Sequence, residues 1–446
     1  MRKHLTNAAY GVVDYASYPL GMLLVAPIVL HRLGAAEYGL WMVATAVVSA
    51  GGIIASGFCD ANIQRVARLR GTGETSAMVH AVRSMLGINL VLGVTLAFGM
   101  WIAAPYAAHH VAASNVASLR ECLVSLRIAS VLILVRAVES VSVSTQRAFE
   151  QYRRTVQISA AARLLTLGSA AVLALFGGRT VSILVATAVF LALGTYMQFR
   201  ELRRLFGAVS LWPAFHFEET RTLLGFGVFV WLQAVGSVVF GQFDRILLGF
   251  SLGAVAVAPY ALCVQFAQPI YGLTASGLHF LFPYFSRSAS TASGAAMKRA
   301  VLKAFVCNLL LVTCGAGMLL LIGNRILQIW AGPAVAHSAA NIFPLIVLGS
   351  VLMGLGVTGT YAMQAFGRFR AVAFISLGGR AAMLLLMIYL LHHLGLQGLA
   401  SARVCYGVTA LLVYLPLLRR LETGKKAPHL TSSAGIACEL QEASKP

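Results

Sequence analysis

The sequence predicts an all-α, polytopic membrane protein with about twelve transmembrane helices in two parallel six-helix halves. Three observations predict it. The 446 residues are 59% apolar and only 11% charged, with mean hydropathy +0.81, whereas a soluble domain is about 45–50% apolar and about 25% charged. Apolar runs long enough for spanning helices of about 20 residues follow one another with no Pro- or Ser-rich linker between soluble domains. The basic residues, finally, collect in alternate connections between those runs.

The runs place helices near residues 8–30, 39–62, 81–104, 121–145, 156–176 and 181–199 in the first half, and near 223–247, 257–283, 304–323, 341–363, 372–393 and 398–418 in the second. The first begins with a basic cluster as a signal peptide does, but its apolar stretch is long, contains Asp14 and Pro19, and lacks a cleavage site, so it reads as a span. It aligns Asn7, Tyr10, Asp14, Ser17, Tyr18 and Gly21 on one face, with Pro19 and Pro27 placed to bend it. The second aligns Ser49, Ser56 and Asp60. The third has Arg83 near its end, where a long side chain snorkels. The fourth carries a polar stripe, Arg136, Ser140, Ser144 and Arg147, with Glu139 one turn from Arg136 and Arg127 on the opposite side.

The fifth and eleventh each hold one arginine, Arg163 and Arg380, about two turns inside the cytoplasmic end. The sixth leads into residues 200–222, charged and containing Pro213, which read as the linker between halves 1–199 and 223–418. The seventh aligns Gln233, Ser237, Gly241 and Asp244, and the eighth Gln268, Gly272, Ser276 and His279. Glycines of the ninth and eleventh, Gly315, Gly317, Gly378 and Gly379, read as close-packing or hinge positions, since no GxxxxGK[ST] phosphate loop occurs. After the twelfth, residues 419–446 lose apolar periodicity and read as a cytoplasmic tail.

Lys and Arg total 34 against 14 Asp and Glu, a net +20. Spread between apolar runs rather than gathered on one module, this charge reports orientation and excludes nucleic acid as the expected partner. Connections of one parity, with both termini, hold 23 of the 34 basic residues; the other parity holds only Arg32, Arg120, Arg179 and Arg325. Both termini are therefore expected in the cytoplasm. The remaining seven, Arg83, Arg127, Arg136, Arg163, Arg245, Arg380 and Arg403, lie inside spans. Seven scattered cysteines show no CxxC or Cys/His spacing and read as packing residues. His109-His110 and His392-His393 lack a third ligand, so neither metal nor cofactor is expected.

Laying 146–186 on 363–403 at an offset of 217 residues pairs Ala148-Phe149 with Ala365-Phe366, Arg153 with Arg370, Ile158-Ser159 with Ile375-Ser376 and Arg163 with Arg380. A weaker match pairs Leu33-Gly34-Ala35 with Leu252-Gly253-Ala254 and, after a three-residue shift, Tyr38 with Tyr260. Both relate elements running in the same sense, as in a parallel repeat around a central site.

The run Leu33-Gly34-Ala35-Ala36-Glu37-Tyr38-Gly39-Leu40-Trp41, the run Asp244-Arg245-Ile246-Leu247-Leu248-Gly249, the segment Gly57 to Arg65 and the turn Gly367-Arg368-Phe369 resemble the Wzx-type polysaccharide (O-antigen) flippases of the MOP (MATE-like) exporter superfamily. The resemblance extends to about residue 418. It implies a non-enzymatic flippase of the bacterial inner membrane that carries undecaprenyl-diphosphate-linked oligosaccharide to the periplasmic leaflet by alternating access, for O-antigen, capsule or exopolysaccharide synthesis. Its implied partners are the lipid-linked oligosaccharide, membrane lipids and polysaccharide polymerase machinery. Lipid II flippases of the superfamily generally have fourteen spans; twelve favour oligosaccharide repeat units.

The residues themselves nominate the chemistry. A span-centre arginine costs about 2.5–3.5 kcal/mol on insertion scales and needs a partner or a water-filled lumen. Arg136 either faces that lumen or bridges to Glu139. Arg163 and Arg380 present forked donors suited to diphosphate oxygens, or else snorkel to the interface. With Gln268 these are the candidate substrate-binding residues. Asp14, Glu139 and Asp244 are the candidates for proton or sodium coupling, beside Asp60. A MATE-like multidrug or metabolite exporter is the alternative, and a membrane polymerase or acyltransferase a third reading; the excess of membrane arginine over carboxylate argues against cationic cargo.

Overall fold

The computed structural model describes residues 2–112, 116–207, 209–278, 281, 285, 294–366 and 368–423. Within helices, residues 2–16, 60, 116–117, 226–227, 229–230, 233–234, 237–240, 276, 369–370 and 421–423 are described by backbone alone. The chain is an all-α polytopic membrane protein, and within the described residues every expected span falls on a helix. Two pairs of spans are merged. Helix α1 (Arg2–Ala55) contains the first span and most of the second, joined at Gly34 with φ 84° and ψ 173°, a conformation that side chains with a Cβ avoid. The second span then breaks at residues 56–58 and continues as α2 (Cys59–Thr72), capped by left-handed Gly73.

Next come α3 (Thr75–Val111), α4 (Val116–Ala148), α5 (Tyr152–Leu175) and α6 (Thr180–Phe206). The seventh expected span is two helices, α7 (Phe217–Gly241) and α8 (Phe243–Leu252), divided at Gln242. They are followed by α9 (Ala254–Gly277), α10 (Gly294–Ala340, kinked at Gly332), α11 (Phe343–Ala365), α12 (Phe369–Leu411, kinked at Gly395) and α13 (Tyr414–Thr423). Among the described residues eight helices are long and apolar enough to cross a membrane, and two of them, Ser17–Ala55 and Ala371–Arg420, hold two spans each. Helix α4 is absent from that set; it carries Arg127, Arg136 and Glu139.

The repeat extends beyond the residues that revealed it. Gly253 (φ 79°, ψ 171°) turns the chain between α8 and α9 as Gly34 does between the first two spans. Asn89 Nδ2 of α3 donates to Ala137 O (3.2 Å) and Ser140 Oγ (2.9 Å) of α4. Asn308 Nδ2 of α10 donates to Gly354 O and Thr358 Oγ1 of α11, both at 3.0 Å. Each of the three positions recurs 217–219 residues on. Close packing is conserved with its members exchanged: a Cβ on Gly93 would lie 2.7 Å from Ala137 Cβ, and one on Gly354 would lie 3.2 Å from Val312 Cγ2. The small residue is on α3 in one copy and on α11 in the other, so the groove is kept while its donor switches.

By packing, Met1–Gln265 with Leu327–Ala339 forms one unit, and Phe266–Ile326 with Ala340–Pro446 a second. In the first, α3 packs on α4, α1 on α5, and α6 on both α4 and α5. The segment before α7 is tied to the start of α3: Arg83 Nε donates to Trp212 O (3.0 Å), Ala214 N to Arg83 O (3.2 Å) and His216 N to Ser84 Oγ (3.1 Å). Phe215 lies against Gly87, where a Cβ would meet its ring at 3.0 Å. Arg65 of α2 closes the same end with a two-pronged ion pair to Glu219 of α7, at 2.9 and 2.8 Å. In the second unit α11 packs along α12.

Candidate functional site

The polar stripe of α4 divides by use. Ser140 and Ser144 are consumed in packing: Ser140 Oγ accepts from Asn89, and Ser144 Oγ accepts from Asn62 Nδ2 at 2.8 Å. Arg136 is left half-exposed, its stem over Gly52 and its Nη1 donating to Glu139 Oε2 at 2.9 Å, with the Glu139 side chain 8% exposed. Arg127, across the helix, lies 5.0 Å from the centre of the Trp101 ring, a cation–π contact.

Arg163 is half-buried on α5 and donates from Nη1 to Ser17 Oγ of α1 at 3.4 Å. Asp14 stands one turn before Ser17, and its side chain lies outside the described residues, as do those of Asp60, Gln233 and Ser237; His279 is outside altogether. Asp244 is fully buried at the start of α8, where Oδ1 accepts from Arg245 N (2.8 Å) and Oδ2 from Tyr260 OH (2.7 Å). That geometry engages an N–H of the first turn of α8 and fastens α8 to α9.

In the second unit, α9, α11 and α12 enclose a cavity of about 270 Å³ whose lining includes Tyr271, Tyr361, Gln364, Ser376, Arg380 and Tyr406. Among the described residues Arg380 is the only charged one in its lining. No carboxylate occurs between Asp244 and Glu422 in the sequence, and among the described residues Arg380 has no ion-pair partner, while its Nε is buried without a hydrogen bond. Gln268 is exposed one turn before Tyr271 and does not line this space. The three tyrosines were not legible as site residues: an aromatic at helical spacing in an apolar span is ordinary packing until a cavity is known. The pointer in the sequence is the long carboxylate-free stretch that contains the span arginines Arg380 and Arg403. Among the described residues no cluster of His, Cys, Asp and Glu is arranged to hold a metal.

A carboxylate-free stretch bearing Arg380 runs through a kinked helical membrane body. The fold has known counterparts. It is similar to a multidrug resistance MATE family transporter of the MOP superfamily in an inward-facing conformation (TM-score 0.72, 14% identity, 93% of this chain and 99% of that one). It is equally similar to the lipid II flippase MurJ in an inward closed conformation (0.73, 13%, 92% and 87%), and to the eukaryotic MATE transporter AtDTX14 (0.62, 15%, 99% of each). Each of the three is described as a transporter or a flippase, and at 13–15% identity the likeness is one of fold. The chain belongs to the polysaccharide biosynthesis protein family, which matches residues 7–289. It is also 25% identical over 213 residues to the uncharacterized membrane protein EpsK of Bacillus subtilis (strain 168), a match covering 47% of this chain and 42% of that protein.

Proposed function

We propose that this protein flips an undecaprenyl-diphosphate-linked oligosaccharide from the cytoplasmic to the periplasmic leaflet of a bacterial inner membrane by alternating access of halves 1–199 and 223–418, delivering it to polysaccharide polymerase machinery. The observation that carries this reading is the charge of the second half: Arg380 and Arg403 lie in spans with no carboxylate from residue 245 to residue 421, which suits an anionic headgroup and opposes a cationic drug. Arg163 and Arg380 bind the diphosphate from the two halves, Arg136 and Gln268 contribute polar contacts, and Asp14, Glu139 or Asp244 takes the coupling ion.

The test is a leaflet-resolved assay in proteoliposomes with a fluorescent lipid-diphosphate saccharide and, in parallel, a cationic dye. Saccharide transport that falls in Asp14→Asn or Glu139→Gln under an imposed proton gradient, at unchanged protein abundance, is expected. Transport of the dye alone would replace the flippase by a multidrug exporter.

Orientation has its own test. Single cysteines at Thr72 and Gln151, both exposed, are expected to label only from the cytoplasmic side, and ones at Phe176 and Ala334, also exposed, from the periplasmic side. Reversal at any site removes the arrangement with both termini inside.

A further inference from the structure

The internal repeat shows where the second half departs from the first. In the first half Ser159 accepts from Gln198 Nε2 at 3.0 Å, and Gln146 completes that buried network. At the offset of 217 residues Ser159 becomes Ser376, while Gln198 becomes Leu415 and Gln146 becomes Met363. The polar partners are gone, the serine remains, and Ser376 lines the 270 Å³ cavity beside Arg380. The repeat-related arginines differ in the same way: Arg163 bonds Ser17 on a neighbouring helix, whereas the Arg380 Nε is buried with no hydrogen bond among the described residues.

A guanidinium keeps its charge at every pH the protein meets, and a screened charge without a counter-charge is costly. The cavity lining supplies none. Thr360 and Thr409 spend their hydroxyl protons on Gly356 O and Tyr406 O of their own helices, and Tyr361 OH donates to Ala275 O. The charge in this space is therefore uniformly positive. At about 30 Å³ per water the cavity has room for about nine waters, more than a single ion fills and close to the lower end of ligand pockets.

We infer that this cavity is an oxyanion site lined by residues of the second unit: it takes a phosphate or carboxylate borne on a group no larger than one sugar, with Arg380 on the oxyanion, Gln364 and Ser376 beside it, and Tyr271, Tyr361 and Tyr406 around the rest. The inference rests on the flippase reading only for the source of the ligand, which is either the diphosphate of the lipid or an acidic sugar of the glycan.

The test uses the purified full-length protein in detergent, titrated calorimetrically with pyrophosphate, glucuronate and glucose. One oxyanion is expected to saturate, with glucose at least about 10-fold weaker. Since a hydrogen bond to a charged group is worth about 1.5–3 kcal/mol, Arg380→Gln is expected to weaken it by about 10- to 150-fold, Arg380→Lys by less, and Arg325→Gln, at an exposed arginine outside the cavity lining, not at all. Pyrophosphate binding assigns the site to the lipid headgroup, and glucuronate binding assigns it to an acidic sugar. Should Arg380→Gln fail to purify as a monodisperse species, Ser376→Val and Gln364→Leu carry the comparison, each with an expected loss of several-fold. Equal affinity for glucose, no binding of either oxyanion, or an equal loss in Arg325→Gln overturns the site. Transport that proceeds normally while binding is absent would overturn this inference and leave the flippase reading standing; loss of transport with binding intact would do the reverse.

Discussion

Gly39→Ala is expected to lower the thermal unfolding midpoint of the detergent-solubilised protein more than any other single-methyl addition in the first unit. Gly39 is buried at the start of the second span, directly against the backbone of α9. A Cβ there would fall inside the van der Waals envelope of the Ala254 carbonyl oxygen and 2.6 Å from its carbon. A flexible side chain gives way cheaply. A backbone carbonyl does not, and Ala254 is held by the left-handed Gly253 just before it. Overpacking costs about 1–3 kcal/mol, occasionally more, and this neighbour puts the change at about 3 kcal/mol or above, a large share of a stability of about 5–15 kcal/mol. Gly71→Ala is the control: Gly71 is exposed and helical, with nothing within 4 Å of its missing Cβ. It is expected to be neutral or to stabilise by up to about 1 kcal/mol. Equal midpoints for the two variants would refute the close approach of the second span to α9.

Gln198→Leu is expected to destabilise by about 2–4 kcal/mol, because it strands several buried groups together. Gln146 and Gln198 are both fully buried, where α4, α5 and α6 meet. Gln146 Nε2 donates to Gln198 Oε1 (2.9 Å) and to its backbone O (3.0 Å). Gln198 Nε2 donates to Thr155 O (2.9 Å) and Ser159 Oγ (3.0 Å). Thr155 Oγ1 lies 2.9 Å from both Gln146 Oε1 and Gln151 O and donates to one of them. Leucine keeps the volume and removes the bonds. Replacing both glutamines with leucine removes donor and acceptor together, so the double variant is expected to lose less than the sum of the singles, with coupling of about 1–3 kcal/mol. Chemical denaturation of the four proteins in mixed micelles measures it, and strict additivity would mean that the amides are hydrated rather than bonded to each other.

This network bears on how much of the site was readable beforehand. Ser159 and Ser376 were found as repeat partners, because identical residues at a fixed offset survive in a one-dimensional comparison. That one is bonded and the other faces a cavity depends on positions 198 and 415, distant in sequence and differing in kind. Asn89 and Asn308 were passed over for a related reason: an asparagine in an apolar run is a single polar letter, and its meaning lies in the carbonyl and hydroxyl that the neighbouring helix presents. Asp244 is a coupling candidate in the sequence because it is one of four carboxylates in the spans; that Tyr260 and the amide of Arg245 engage its oxygens belongs to the tertiary structure. Arg136 carried two readings from the start, and the bond to Glu139 is the geometry of one of them.

The sequence by itself determined the class and the apolar spans, and paired Gly34 with Gly253, because the bilayer imposes a length and a polarity on every crossing and identical residues near a fixed offset survive a one-dimensional comparison. Composition and periodicity are local quantities, so they survive without coordinates. Which arginine is tied to a neighbouring helix and which lines a cavity was decided only by tertiary structure. Two residues 217 apart with the same phase on equivalent helices differ through side chains contributed by other helices, and whether a buried charge is satisfied is a property of that neighbourhood rather than of the residue.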